Sequence, residues 1–247
     1  IPQYFVLLTS SMTEPLFALT LALFIFLVGK ERLGLAAIIA GLSPFVRQEG
    51  IALIPLIILL LVLRKKLIKT PLVFLGTVLF TLIGWAVSGD AMWIKTSFPY
   101  GSGSSDIYGS GELFHYLKYW KIIFGASISV ALIIGIVSII ITSISNLRDR
   151  QRTSSFELAL LASLAFAVMF FSAHSYVWWK GISGSLGLIR VMACIAPSVA
   201  LVAGYGLHRL TRGLGLKKAV VGAAFIMLFL ATAAFFFYGQ KFTIKNK

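Results

Sequence analysis

A few charged and aromatic side chains are placed where they could do chemistry. Arg47-Gln48-Glu49 sets a guanidinium and a carboxylate two residues apart between two apolar runs. Arg190 follows the glycine-rich stretch Gly181-Ile182-Ser183-Gly184-Ser185-Leu186-Gly187. Glycines ahead of a helix N-terminus let backbone N–H groups approach an anion, and the helix dipole favours negative charge there. A guanidinium at that point adds a planar fork suited to phosphate. His174 could move a proton or donate to a phosphate. Each of these residues also has a plainer reading. Arg47 and Glu49 could neutralise each other to close a hairpin, Arg190 could snorkel to lipid headgroups, and His174 could be structural.

Two carboxylates are weak catalytic candidates, Glu14 and Asp90. In Thr13-Glu14-Pro15 a cap, an acid and a proline are also ordinary helix-start signals. A long aromatic link from Asp90 to Trp120 holds Tyr100, Tyr108, His115 and Tyr116, which could contact a sugar or an acceptor. The plainer role of such rings is an interfacial belt. Within it Glu112–Lys121 reads as a short interfacial helix with Leu113, Tyr116, Leu117 and Trp120 on one face. His115, His174 and His208 are too scattered for a zinc site, and no nucleotide fingerprint is present. No metal and no cofactor is expected.

The elements that must position these residues are membrane helices. The 247 residues are 59% hydrophobic and 12% charged, with a mean hydropathy of +0.95; a soluble domain carries about a quarter charged residues. Cys194 is the single cysteine, so no internal disulfide forms. Eight apolar segments are expected: Thr13–Gly29, Leu33–Val46, Ile51–Leu63, Pro71–Gly89, Lys121–Ser145, Ser155–Ala173, Arg190–Leu207 and Lys218–Gly239. Alternation of these segments gathers 13 of the 22 Lys and Arg residues on one side, in the turns after Gly29, Leu63, Ser145 and Leu207. Basic short loops belong to the cytoplasm, so the net charge of +14 reflects topology and not a nucleic-acid partner. The long links Asp90–Trp120 and His174–Ile189 then lie on the other, non-cytoplasmic side.

The segments flanking Arg47 are short, about 20 Å at 1.5 Å per residue, against a hydrocarbon layer of about 30 Å. Their hairpin tip should therefore sit below the outer surface, with Ser43-Pro44 kinking the approach and Gly50 allowing the turn. Ionisable groups at that depth are functional by default. On the inner side Ser154-Ser155-Phe156-Glu157 reads as a capping box, while Glu31 and Asp149 read as members of solvated basic turns. The chain opens on Ile1-Pro2-Gln3 with no signal-peptide pattern, and is expected to be the C-terminal portion of a longer protein.

Taken in order, Thr13-Glu14-Pro15, a basic turn, a small-residue helix ending in Arg47-Gln48-Glu49-Gly50, and an apolar helix closed by Arg64-Lys65-Lys66 resemble multi-pass glycosyltransferases of the C superfamily, mannosyltransferase-like and protein O-mannosyltransferase-like members above all. Gly89-Asp90-Ala91-Met92-Trp93, His115-Tyr116, and the run from His174 through Gly184-Ser185-Leu186-Gly187 to Arg190 and Pro197 are similar to the same family. Gln48 stands where those relatives often carry Pro in an R-P-E-G motif. The resemblance implies a fold of many helices with the active cavity on the non-cytoplasmic side, in keeping with the all-α, polytopic transmembrane bundle of about eight segments with one short hairpin expected from the apolar runs. It implies a single transmembrane domain over 1–247 that lacks the family's N-terminal helices and first outer loop, where the family's catalytic acid lies. It further implies a polyprenyl- or dolichyl-phosphate-linked sugar as donor and inversion at the anomeric carbon; under that reading the residues expected at the lipid phosphate are Arg47, Glu49, Arg190 and His174. The acceptor would be a glycan, lipid or protein, and the setting an integral membrane, a prokaryotic cell membrane more than the endoplasmic reticulum. The rival readings are a transporter or flippase, which would account for a broken hairpin and a buried ion pair, and a non-catalytic membrane subunit. No internal repeat, which the transporter reading would require, is visible in the sequence.

Overall fold

The computed structural model describes residues 12–96, 109–149, 152–182 and 185–213, with positions 223, 226, 227 and 230 besides. All regular structure among these residues is helical. The helices are α1 (Thr13–Gly29), α2 (Leu33–Val46), α3 (Gln48–Leu63), α4 (Leu67–Ser88), the short α5 (Trp93–Thr96), α6 (His115–Lys118) and α7 (Trp120–Phe124), then α8 (Ala126–Arg148), α9 (Ser155–Lys180) and α10 (Ile189–Gly213). Helices α3, α4 and α10 each open with a stretch of 3-10 winding.

Four helices, α4, α8, α9 and α10, are long and apolar enough to cross a membrane. The expected count of about eight is not reached among the described residues. Helices α1, α2 and α3 are apolar but shorter, and the eighth segment, Lys218–Gly239, lies almost wholly outside the described residues. Exposed rows such as Leu16, Leu19, Leu23 and Phe26 on α1 and Val130, Ile133, Val137 and Ile141 on α8 leave far more apolar surface uncovered than a soluble monomer tolerates. In a bilayer those rows face lipid.

The core runs through α1, where Phe17, Leu21 and Phe24 are fully buried, to Phe166 and Phe170 of α9. The Phe17 and Phe166 rings lie 6.1 Å apart, and Phe17 and Phe170 6.4 Å. Helices α8 and α10 touch backbone to backbone, because a Cβ on Gly135 would strike the Val202 carbonyl and one on Gly206 the Ala131 carbonyl. Small residues at a crossing are a membrane-helix device, since lipid offers no hydrophobic push and close packing must supply the attraction.

Helix α9 departs most from expectation. It runs on from Ala173 to Lys180, 26 residues in all, or about 39 Å at 1.5 Å per residue. Nothing in His174-Ser175-Tyr176-Val177-Trp178-Trp179-Lys180 breaks a helix. The stop is Gly181 at φ +62°, whose N–H bonds back into the last turn, a left-handed C-terminal cap. The outer link expected from His174 to Ile189 is shortened accordingly, and His174 sits on rigid helix. The capping box at its start is present in both directions, with Ser154 N donating to Glu157 Oε2 at 2.7 Å and Glu157 N to Ser154 Oγ at 3.2 Å. The expected single helix over Glu112–Lys121 is instead α6 and α7, parted at Tyr119.

Candidate functional site

The start of α1, the α2–α3 junction, the last turns of α9 and the start of α10 meet at one end of the bundle. The junction is built by Ser43. Its buried hydroxyl lies 2.7 Å from the Ala40 carbonyl and 2.9 Å from the Gly50 carbonyl, tying the end of α2 to the first turn of α3. Gly50 is required here for close approach, because an added Cβ would fall within 2.7 Å of Ser43 Oγ and nearer still to its backbone. The turn itself needs no left-handed glycine, contrary to the sequence expectation, since Arg47 supplies it in extended conformation at φ −151°, ψ 141°. Pro44 lies inside α2, just before the junction.

That backbone holds Arg47 in a bidentate pair with Glu49. Nη2 donates to Oε1 at 2.8 Å and Nε to Oε2 at 3.2 Å. The same guanidinium donates from Nη1 to Thr13 Oγ1 at 2.8 Å and lies 3.4 Å from Glu14 Oε1. Thr13 therefore receives Arg47 rather than capping α1, where Met12 takes the cap position without a side-chain bond. Glu14 is 4% exposed at its side chain and lies between two cations, since Arg190 Nε is 3.6 Å from the same oxygen. His174 Nε2 comes within 3.4 Å of Glu49 Oε1. Its ring packs on Phe170, with centroids 4.4 Å apart.

Arg47, Glu49, His174 and Arg190 are thus brought together from three places in the chain, and Glu14 joins them. They are not equally engaged. Arg47 is held on three sides, but His174 Nε2 and Arg190 Nε are buried atoms without a hydrogen bond. Burying polar atoms without partners is costly; each of these nonetheless faces a carboxylate, Glu49 at 3.4 Å and Glu14 at 3.6 Å, and Ser175 Oγ and Trp178 Nε1 of α9 are buried without a hydrogen bond as well.

The other candidates lie elsewhere. Asp90 is exposed and spent locally, accepting from Met92 N at 2.7 Å and Thr96 Oγ1 at 2.7 Å. Those bonds hold its carboxyl below the usual range and leave it capping α5. Tyr116 is 1% exposed, part of the core beneath His174, at 6.3 Å between ring centroids. Burial pushes its phenol up to about 12, so it stays protonated. Tyr100 and Tyr108 lie outside the described residues.

His115 meets the glycine-rich stretch at Gly187 and packs by Trp178, which the sequence did not single out. Its Nε2 lies 2.8 Å from the Gly187 carbonyl, and its ring is 5.6 Å from Trp178. The only hint in the sequence is that Trp178 stands one helical turn after His174, on the same face.

The opposite end of the bundle carries a second cluster. Glu31, expected in a solvated turn, lies 2.9 Å from Arg64 Nη2 and 3.5 Å from Lys66 Nζ, and accepts from Ser155 Oγ at 3.1 Å. Burial works to raise its carboxyl, but Ser155, Arg64 and Lys66 hold it below the usual value. Arg64 is 6% exposed at its side chain and also donates to the Thr153 carbonyl at 2.8 Å. The turn after α1, the end of α3 and the start of α9 are clamped there.

Comparison with protein-family models, curated proteins and solved structures returned no match.

Proposed function

We propose that this chain belongs to a membrane glycosyltransferase. It would move a hexose such as mannose from a polyprenyl- or dolichyl-phosphate carrier to a glycan, lipid or protein acceptor on the non-cytoplasmic face of a prokaryotic cell membrane. One observation supports the reading most: a guanidinium and an imidazole, Arg190 and His174, converge on a buried carboxylate–arginine lattice at ion-pair distance but make no hydrogen bond to it from Nε or Nε2. In the proposed reaction the acceptor hydroxyl oxygen attacks the anomeric carbon as the carbon's bond to the phosphate oxygen breaks, and the hydroxyl proton passes to the carboxylate base that the resemblance implies. The electron pair leaves with the phosphate, and charge grows on the phosphate oxygens. Fixed donors aimed at developing charge lower that barrier because they need no reorganisation. Arg190 and His174 are those donors, while Arg47, locked by Glu49 and Thr13, sets the floor on which they stand.

The test is turnover of full-length protein in detergent or vesicles with a lipid-phosphate hexose. Arg190→Ala should lower kcat/KM by about 10- to 100-fold, the worth of one charge-assisted hydrogen bond in the transition state. Wild-type rate in that variant removes Arg190 from the reaction. An absence of transfer from every such donor overturns the reading, and movement of the lipid-linked sugar across the vesicle without transfer would replace it with a transporter.

A further inference from the structure

Arg190 is the most exposed member of the cluster, at 41% of its side chain, and no hydrogen bond from its Nε fixes it. Something else must hold it if it is to meet a ligand in one geometry. The segment before it is held by Trp178. The indole lies between two glycines from different links. A Cβ on Gly111 would strike it outright, and one on Gly187 would come within 2.7 Å of it. The glycines admit the ring, and any larger residue would push one link away.

Two further contacts close the arrangement. Gly111 N donates to the Trp178 carbonyl at 3.1 Å. His115 Nε2 meets the Gly187 carbonyl at 2.8 Å; a carbonyl only accepts, so Nε2 carries the proton. Gly187 itself is left-handed at φ +61°, which turns the chain toward the start of α10, and Arg190 follows three residues later.

We propose that Trp178 and His115 form a clasp that positions Arg190 for its phosphate ligand. The two links are pinned to the end of α9 at Trp178, one turn beyond His174. Trp178 is a positioning residue, whose own Nε1 is buried without a hydrogen bond. This rests on Arg190 being a phosphate donor, as proposed above.

The experiment is a double-mutant cycle on the full chain in detergent, with a short-chain polyprenyl phosphate as probe and its Kd as readout. Arg190→Ala should weaken binding by about 10- to 100-fold. Trp178→Ala should weaken it by about 3- to 30-fold, the range of effects transmitted through a neighbour. The double variant should bind no worse than Arg190→Ala alone, because a clasp has nothing left to position. Trp178→Phe keeps the ring and should restore most of the affinity, as should His115→Gln relative to His115→Ala. Additive losses in the double variant, or wild-type affinity in both Trp178→Ala and Gly187→Ala, overturn the clasp while leaving the phosphate site intact. Equal binding by wild type and Arg190→Ala, or none by wild type, overturns the site and the clasp with it.

Discussion

The two ends of this bundle carry the same motif in two states of tension. At each, one carboxylate lies between two cations from other elements: Glu14 between Arg47 and Arg190, Glu31 between Arg64 and Lys66. At the Glu31 end the closest pair is 2.9 Å, a serine hydroxyl completes the carboxylate, and Arg64 is tied again to a backbone carbonyl. At the Glu14 end the contacts are 3.4 and 3.6 Å, with Arg190 Nε and His174 Nε2 left without hydrogen bonds. Arg64 Nε lacks a partner too, but its guanidinium is already held twice. The difference teaches that charge at a helix end is not itself a sign of function. A closed cluster fastens helices, and a slack one leaves donors for something else.

Removing one partner at each end is the strongest way to break that comparison. Arg64→Ala removes the nearest cation of Glu31, which is 29% exposed and keeps Lys66 and Ser155, and should cost about 2–3 kcal/mol of stability, the worth of a hydrogen bond from a charged group, read as thermal unfolding in detergent. A loss below about 1 kcal/mol would show that the Glu31 clamp is no tighter than a surface pair. Gly50→Ala comes next, at about 1–3 kcal/mol, because the new methyl overpacks against Ser43. Unchanged melting there would mean that the α2–α3 junction can open. Arg190→Ala should change stability by less than about 1 kcal/mol, as exposed ion pairs do. A larger loss would make the Glu14 end a fastener as well.

The smallest effect sharpens the comparison through pH. Glu31 is held below its ordinary value of 4.5, so its contribution is complete above that value in the unfolded chain. It is lost as pH falls through the lower folded value. Melting temperature should therefore drop on acidification below about pH 4.5, and Glu31→Gln should flatten that part of the profile. The same slope in both proteins would assign the acid sensitivity to another carboxylate.

Much of the helical framework was legible in the residues. Helices α1 and α2 have the bounds expected from hydropathy and charged turns, and the Ser154–Glu157 capping box is where its spacing placed it. The end of α9 is not legible in the same way: polar atoms in His174 to Lys180 resemble a loop, yet no residue there opposes a helix and α9 runs on to Lys180. The Arg47–Glu49 pair could be named in advance, being two residues apart. The slackness of Arg190 could not, since it depends on distances across four elements.

What the sequence determined by itself was local: an all-helical chain of apolar segments, their polarity of charge, and the residue types available for chemistry. Helical hydrogen bonds span four residues, and an apolar run declares itself within a turn or two, so those features need no partner. Tertiary structure alone decided who meets whom. Ser155 reaches Glu31 across 124 residues, and His115 reaches Gly187 across 72. Arg47 and Arg190 converge on one buried carboxylate. Such contacts are set by how helices pack, and nothing in a residue's own neighbourhood records whether its counter-ion will sit at 2.9 Å or at 3.6 Å.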